Sequence, residues 1–198
     1  MAVALLPAAG ASRRMGRPKL LLPYRGGTLV GSLVDTLRAA GVDRILLVTA
    51  PDDQDLQAWA EGAGVETAVN PHPERGMLST LQAGVAALGG VAGMSAEILL
   101  VTPADLPRIR PETISLLLRR MLETGAPLGL PVYQGKNGHP LAIAPPLIPE
   151  IGSLDPAVGL KQLRDRHAAS VLWLPVEDAG VIADVDTPED YEQALTSG

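Results

Sequence analysis

Between Pro7 and Lys19 a run of small residues, Ala8-Ala9-Gly10-Ala11-Ser12, is followed by four cations, Arg13, Arg14, Arg17 and Lys19. Small side chains let backbone N–H groups approach phosphate oxygens closely, and cations neutralise the charge that gathers on a departing pyrophosphate. Triphosphate binding is the chemistry this pattern suits. Two rival phosphate loops are excluded, because the run has neither the Gly-Lys-Ser/Thr ending of a Walker loop nor the Gly-x-Gly-x-x-Gly of dinucleotide folds. A second group, Thr102-Pro103-Ala104-Asp105-Leu106-Pro107, places a carboxylate just beyond an apolar run. There Asp105 can hold magnesium against an α-phosphate, since that hard cation takes few carboxylates and keeps several waters. In a third group, Asp184-Val185-Asp186-Thr187-Pro188-Glu189-Asp190, Asp186 is the candidate second ligand. Asp184, two residues back in extended chain, would share its side. Thr187, Glu189 and Asp190 are explained by helix capping and dipole preference.

These groups need elements to hold them. Apolar runs at 2–6, 45–48, 65–69 and 98–101 predict strands, and the segments between them carry helical spacing. Leu29, Leu33, Leu37 and Ala40 share one helical face that Gly41 would end. Ile114, Leu117, Leu118 and Met121 make a second stripe after Pro111, a residue suited to a first helical turn. Right-handed crossovers then give a three-layer α/β/α, Rossmann-like fold with a mostly parallel sheet. Residues 127–133 and 139–144 read as extended and are joined by the turn-rich Gln134-Gly135-Lys136-Asn137-Gly138, predicting a small antiparallel hairpin insertion. The apolar run 171–176 and the stretch 181–186 read as extended too, and Thr187-Pro188 opens a last helix. The length suits a single domain over 1–198.

Composition narrows the function. A formal charge of −6 argues against a protein whose bulk field attracts nucleic acid. With no cysteine, any metal must sit on oxygen or imidazole, which favours magnesium. No run approaches the roughly 20 apolar residues needed to cross a bilayer. The first residues read as a strand rather than a secretory leader, so a cytoplasmic protein is the expectation.

The motifs resemble those of the cofactor and sugar nucleotidyltransferases, and most closely the molybdenum cofactor cytidylyltransferases. That family's first loop reads Ala-Ala-Gly-x-Ser-x-Arg-Met-Gly-x-x-Lys, matched in register by Ala8, Ala9, Gly10, Ser12, Arg14, Met15, Gly16 and Lys19. The resemblance implies that Arg14 and Lys19 are catalytic, holding the triphosphate, while the backbone of Ala8, Ala9, Gly10 and Ser12 lines base and phosphates. It implies that Asp105, in the family's Asp-x-Pro, is a metal ligand, with Pro103 beside the nucleotide, and that Asp186 joins it. Gly76-Met77-Leu78-Ser79-Thr80-Leu81 resembles the segment that borders the nucleobase, making Gly76, Ser79 and Thr80 nucleotide-binding candidates, although Ser79 and Thr80 are also good helix caps. Gly138-His139-Pro140 resembles the Gly-His-Pro of molybdopterin-directed members and puts His139 on the acceptor side; by itself a hairpin histidine is more often structural. The implied reaction is transfer of CMP from CTP to a molybdopterin-type phosphate with Mg2+ and release of pyrophosphate, the product then passing to a recipient molybdoenzyme. Guanylyl or sugar-phosphate transfer, or non-catalytic cofactor delivery, are the alternatives. One segment departs: where cytidylyl-type members often carry Gly-Asp-x-Gly-Ala-Arg, this chain has Leu154-Asp155-Pro156-Ala157-Val158-Gly159-Leu160-Lys161, without the arginine.

Overall fold

The protein is described by a computed structural model covering residues 1–10, 15, 18–90, 93 and 96–196. Its main sheet contains β1 (Ala2–Pro7), β4 (Arg44–Thr49), β5 (Glu66–Val69), β6 (Ile98–Val101), β7 (Leu128–Tyr133), β8 (Lys136–Asn137), β9 (Leu141–Ile143) and β10 (Val171–Pro175). The strands run in the order β10-β7-β9-β6-β1-β4-β5, with β8 paired on β7. β1 is parallel to both β4 and β6, and β9 alone is antiparallel to both its neighbours. The sheet is therefore mostly parallel, as the apolar runs predict. A two-stranded ribbon, β2 (Pro23–Tyr24) with β3 (Gly27–Thr28), stands apart from it.

Side-chain alternation along β1 divides the core into two layers. Ala4 and Leu6 pack with α1 (Leu29–Ala39), α2 (Gln54–Gly62) and α4 (Pro111–Thr124). Val3 and Leu5 face the opposite way, towards α3 (Met77–Ala87), α5 (Leu160–Arg166) and the 3-10 segment Pro145–Ser153. The predicted stripe of α1 is the buried one, with Leu29, Leu33 and Leu37 inaccessible to solvent. Gly41, at φ +83, turns the chain out of that helix.

A third cluster explains why the two ends of the chain meet. Leu22, Tyr24 and Leu29 pack against Val185, Tyr191 and Ala194, the last two on α6 (Pro188–Thr196). The Tyr191 hydroxyl donates to the Pro23 carbonyl at 2.7 Å. Thr187 and Asp190 cap α6 reciprocally: the Asp190 N–H donates to Thr187 Oγ1 at 3.2 Å, and Asp190 Oδ2 accepts from the Thr187 N–H at 2.8 Å.

Two expectations are corrected in detail. The return strand of the hairpin begins earlier than its sequence suggests, because Lys136 and Asn137 already pair with Tyr133 and Val132. The chain then leaves the ladder at Gly138-His139-Pro140 and rejoins it as β9. A Cβ on Gly138 would stand 2.5 Å from Val181 Cγ2, so only glycine lets the chain cross there. Residues 181–186 form no strand. Ala179–Ile182 is a 3-10 turn held by Asp178, which is 3% exposed and accepts from Gly180 N, Arg110 N and Thr113 Oγ1. Among the described residues no helix is long and apolar enough to cross a membrane.

Candidate active site

The chain goes from β1 to β4 and β5 on one side, then returns to place β6 on the other side of β1. At such a reversal the loops following the two strands diverge and leave a crevice beyond their carboxyl ends. The loop after β1 brings Lys19 to this crevice, and the loop after β6 brings Asp105. Asp186 arrives from the far end of the chain, because the Val185 N–H donates to the Asp105 carbonyl at 3.0 Å. Lys19 Nζ lies 2.5 Å from Asp105 Oδ2 and 2.7 Å from Asp186 Oδ1. All three side chains are largely withdrawn from water, at 12%, 15% and 21% exposure.

A cavity of about 380 Å³ opens beside this triad, within the range of small-ligand sites. Ala8, Ala9, Gly10, Gly76, Thr80 and Pro103 line it together with Lys19, Asp105 and Asp186. Ser12 and Arg14 lie outside the described residues. Ser79 does not line the cavity, and its hydroxyl is engaged within its own loop, with the carbonyls of His72 and Gly76 at 2.9 and 2.8 Å.

Asn70, which no motif in the sequence marks, organises this edge. Its Oδ1 accepts from the His72 N–H at 2.9 Å, which fixes the amide so that Nδ2 donates to Ser79 Oγ and Thr80 Oγ1. A buried amide that satisfies three groups locks the turn preceding α3. A lone Asn at a strand end has no spacing to betray that role.

A second cavity, of about 420 Å³, adjoins the first and shares Pro7, Met77 and Pro103 with it. His139 lines the second cavity, with its Nδ1 buried and unpartnered. Burial holds the His139 imidazole below its ordinary pKa, against the opposing pull of Asp105 and a hydrogen bond to the Val101 backbone. For Lys19 burial is the largest single influence and pulls its pKa down, yet the two carboxylates together leave it raised. Burial pushes the Asp184 carboxyl up, and the charges of Asp186 and Asp105 add to that effect.

Asp105 and Asp186 suit a hard divalent cation. Both offer carboxylate oxygens to a single point now filled by an ammonium group, and Asp105 Oδ1 is buried without a hydrogen-bond partner. Among the described residues no three His, Cys, Asp or Glu side chains are placed to hold one metal ion together. A cation bound here would therefore complete its shell with water or ligand oxygens.

Residues 4–171 match the MobA-like NTP transferase domain. The chain belongs to that family. The family reaction is nucleotidyl transfer, in which part of a nucleoside triphosphate passes to a phosphate acceptor. Among MobA-like relatives, the molybdenum cofactor cytidylyltransferase of Escherichia coli (strain K12) is 27% identical, over 94% of this chain and 92% of its own. The nicotine blue oxidoreductase of Paenarthrobacter nicotinovorans is 29% identical, over 96% and 95%. Rv0371c of Mycobacterium tuberculosis H37Rv, solved in complex with manganese, superimposes with a TM-score of 0.76 at 26% identity, over 100% of this chain and 99% of its own. A divalent metal thus binds a structural relative of this chain.

Proposed function

We propose that the chain transfers CMP from CTP to the phosphate of a molybdopterin-type acceptor, with Mg2+ as cofactor and pyrophosphate as the second product. The observation that carries this reading is the meeting of Lys19, Asp105 and Asp186 on the wall of the first cavity, which the second adjoins along Pro7, Met77 and Pro103. Base and triphosphate occupy the first cavity, against the backbone of Ala8, Ala9 and Gly10 and the edge formed by Gly76 and Thr80. Lys19 turns from the carboxylates to the phosphates and stabilises the charge that develops on the leaving pyrophosphate, with Arg14 as its partner on the same loop. Asp105 and Asp186 would hold the magnesium ion, which when bound neutralises phosphate charge and orients the α-phosphate. The acceptor lies in the second cavity near His139. One of its phosphate oxygens forms a bond to the α-phosphorus as the bond to the β-phosphate oxygen breaks, and the electron pair leaves with pyrophosphate. An acceptor monoester is largely ionised at neutral pH, its second pKa being about 6, so no strong general base is needed.

CTP and the pterin acceptor are favoured by the likeness to the Escherichia coli cytidylyltransferase. The test is pyrophosphate release with CTP, GTP and ATP, each with molybdopterin and with a sugar 1-phosphate. The proposal expects release with CTP and molybdopterin, and release that depends only on GTP or only on the sugar phosphate would replace it.

A further inference from the structure

The second cavity combines features that the reaction chemistry alone does not require. Its walls are apolar, with Leu81, Leu130 and Leu141 among them. Two large apolar side chains stay exposed at its lips, Met77 at 61% and Val158 at 44%. Among the described residues no carboxylate lines it, although the chain carries a net charge of −6. The described lining does include the cations Lys161 and Arg164, three residues apart and so on one side of α5. That helix is held in place by Leu163, which is inaccessible to solvent. The turn before it is fixed internally: Asp155 Oδ1 accepts from the Ala157 N–H at 2.8 Å, and Gln162 Oε1 accepts from the Asp155 N–H at 3.0 Å. Among the described residues the Arg164 guanidinium meets its sequence neighbour Asp165, at 3.2 Å, and Asp165 is itself half in water. Arg164 is 22% exposed, and its Nε and one Nη share a single Asp165 oxygen, which leaves the other N–H groups of the guanidinium for a ligand.

We propose that Lys161 and Arg164 are specificity-determining residues that hold the negative charge of an acceptor whose flat apolar body lies between Met77 and Val158. This rests on the reading of the second cavity as the acceptor side of a nucleotidyl transfer. It deepens that reading by assigning the side chains of this cavity that would select a ring-bearing phosphate over a sugar phosphate. An apolar wall gains from a ring and loses against a hydroxylated sugar, while a cation pair without a competing carboxylate selects the anion.

The probes are 1-naphthyl phosphate and 1-naphthol, titrated by their fluorescence into the full chain saturated with magnesium and α,β-methylene CTP, which covers the phosphate-binding groups of the first cavity. The phosphate should bind roughly tenfold or more tightly than the naphthol, the scale of a charge-assisted hydrogen bond. In Lys161→Met/Arg164→Met, which keeps apolar stems, the two ligands should bind alike, with naphthol affinity within about twofold of wild type. Equal affinity of the wild-type protein for both ligands would overturn the proposal, as would a preference that survives the double substitution. Glucose 1-phosphate binding as tightly as naphthyl phosphate would overturn the ring preference. Pyrophosphate release separates this from the transfer reading: an intact naphthyl phosphate preference with no release from CTP leaves the anion clamp standing and removes the reaction.

Discussion

Replacing Lys19 with methionine keeps the apolar stem and removes the ammonium group that sits between Asp105 and Asp186. Two carboxylates then face each other without that ammonium group between them. Removing one partner of a fully buried ion pair costs about 3–5 kcal/mol. These side chains keep 12–21% exposure, so water relieves part of the repulsion, and a loss of about 2 kcal/mol is the reasonable scale. For a chain of this length that corresponds to a fall in Tm of roughly 4–8 °C. The diagnostic arm is a repeat of the melt in manganese or magnesium. In wild type a divalent ion must displace the ammonium group, whereas in Lys19→Met that competitor is gone. Metal should therefore raise the Tm of the variant more than that of the wild type, while nucleotidyl transfer by the variant collapses. A metal-induced shift no larger in the variant than in the wild type would refute the argument, because the two carboxylates would then not be the metal's holders.

Other expectations follow from the same geometry. Burial lowers the His139 pKa, so below the ordinary histidine value of about 6.5 the unfolded chain binds more protons than the folded one. Stability should fall as the pH drops from 7.5 through 6.5 towards the folded value, and His139→Asn should flatten that part of a urea-denaturation profile; an unchanged slope would show that the imidazole is not the titrating group. Asn70→Ala strands the His72 N–H and loosens Thr80, which should cost about 1–3 kcal/mol in a denaturant melt. Because Thr80 lines the first cavity, the same variant should weaken nucleotide binding measured by calorimetry more than it weakens naphthyl phosphate binding.

Much of this arrangement is legible in the sequence. The helical stripe of α1, the Thr187-Pro188 opening of α6 and the apolar strands all follow from local periodicity, which survives into the folded chain because each element buries the face its pattern marks. The meeting of Lys19 with Asp105 and Asp186 is likewise anticipated from the motifs. What is not legible depends on contacts remote in sequence. The alternation Val181-Ile182-Ala183-Asp184-Val185-Asp186 imitates a strand, yet a Cβ on Gly180 would collide with the Arg108 carbonyl, and Asp178 ties the segment to Arg110 and Thr113. Its backbone is committed to isolated partners and not to a ladder: the Val181 carbonyl accepts from the His139 N–H, and the Val185 N–H donates to the Asp105 carbonyl. Ser79 is marked by its motif as a nucleotide contact, but Asn70, His72 and Gly76 occupy its hydroxyl. The cationic side of α5 has no recognisable motif, since Lys161 and Arg164 acquire a common direction only when Leu163 is buried.

The most direct test of the central claim is a crystal structure of the full chain with manganese and α,β-methylene CTP, recorded at a wavelength where manganese scatters anomalously. The account predicts an anomalous peak in contact with carboxylate oxygens of both Asp105 and Asp186, an α-phosphate oxygen in the same coordination shell, and Lys19 swung onto the phosphates. A peak elsewhere on the protein, or Lys19 still clamped between the two carboxylates with the nucleotide bound, would contradict it.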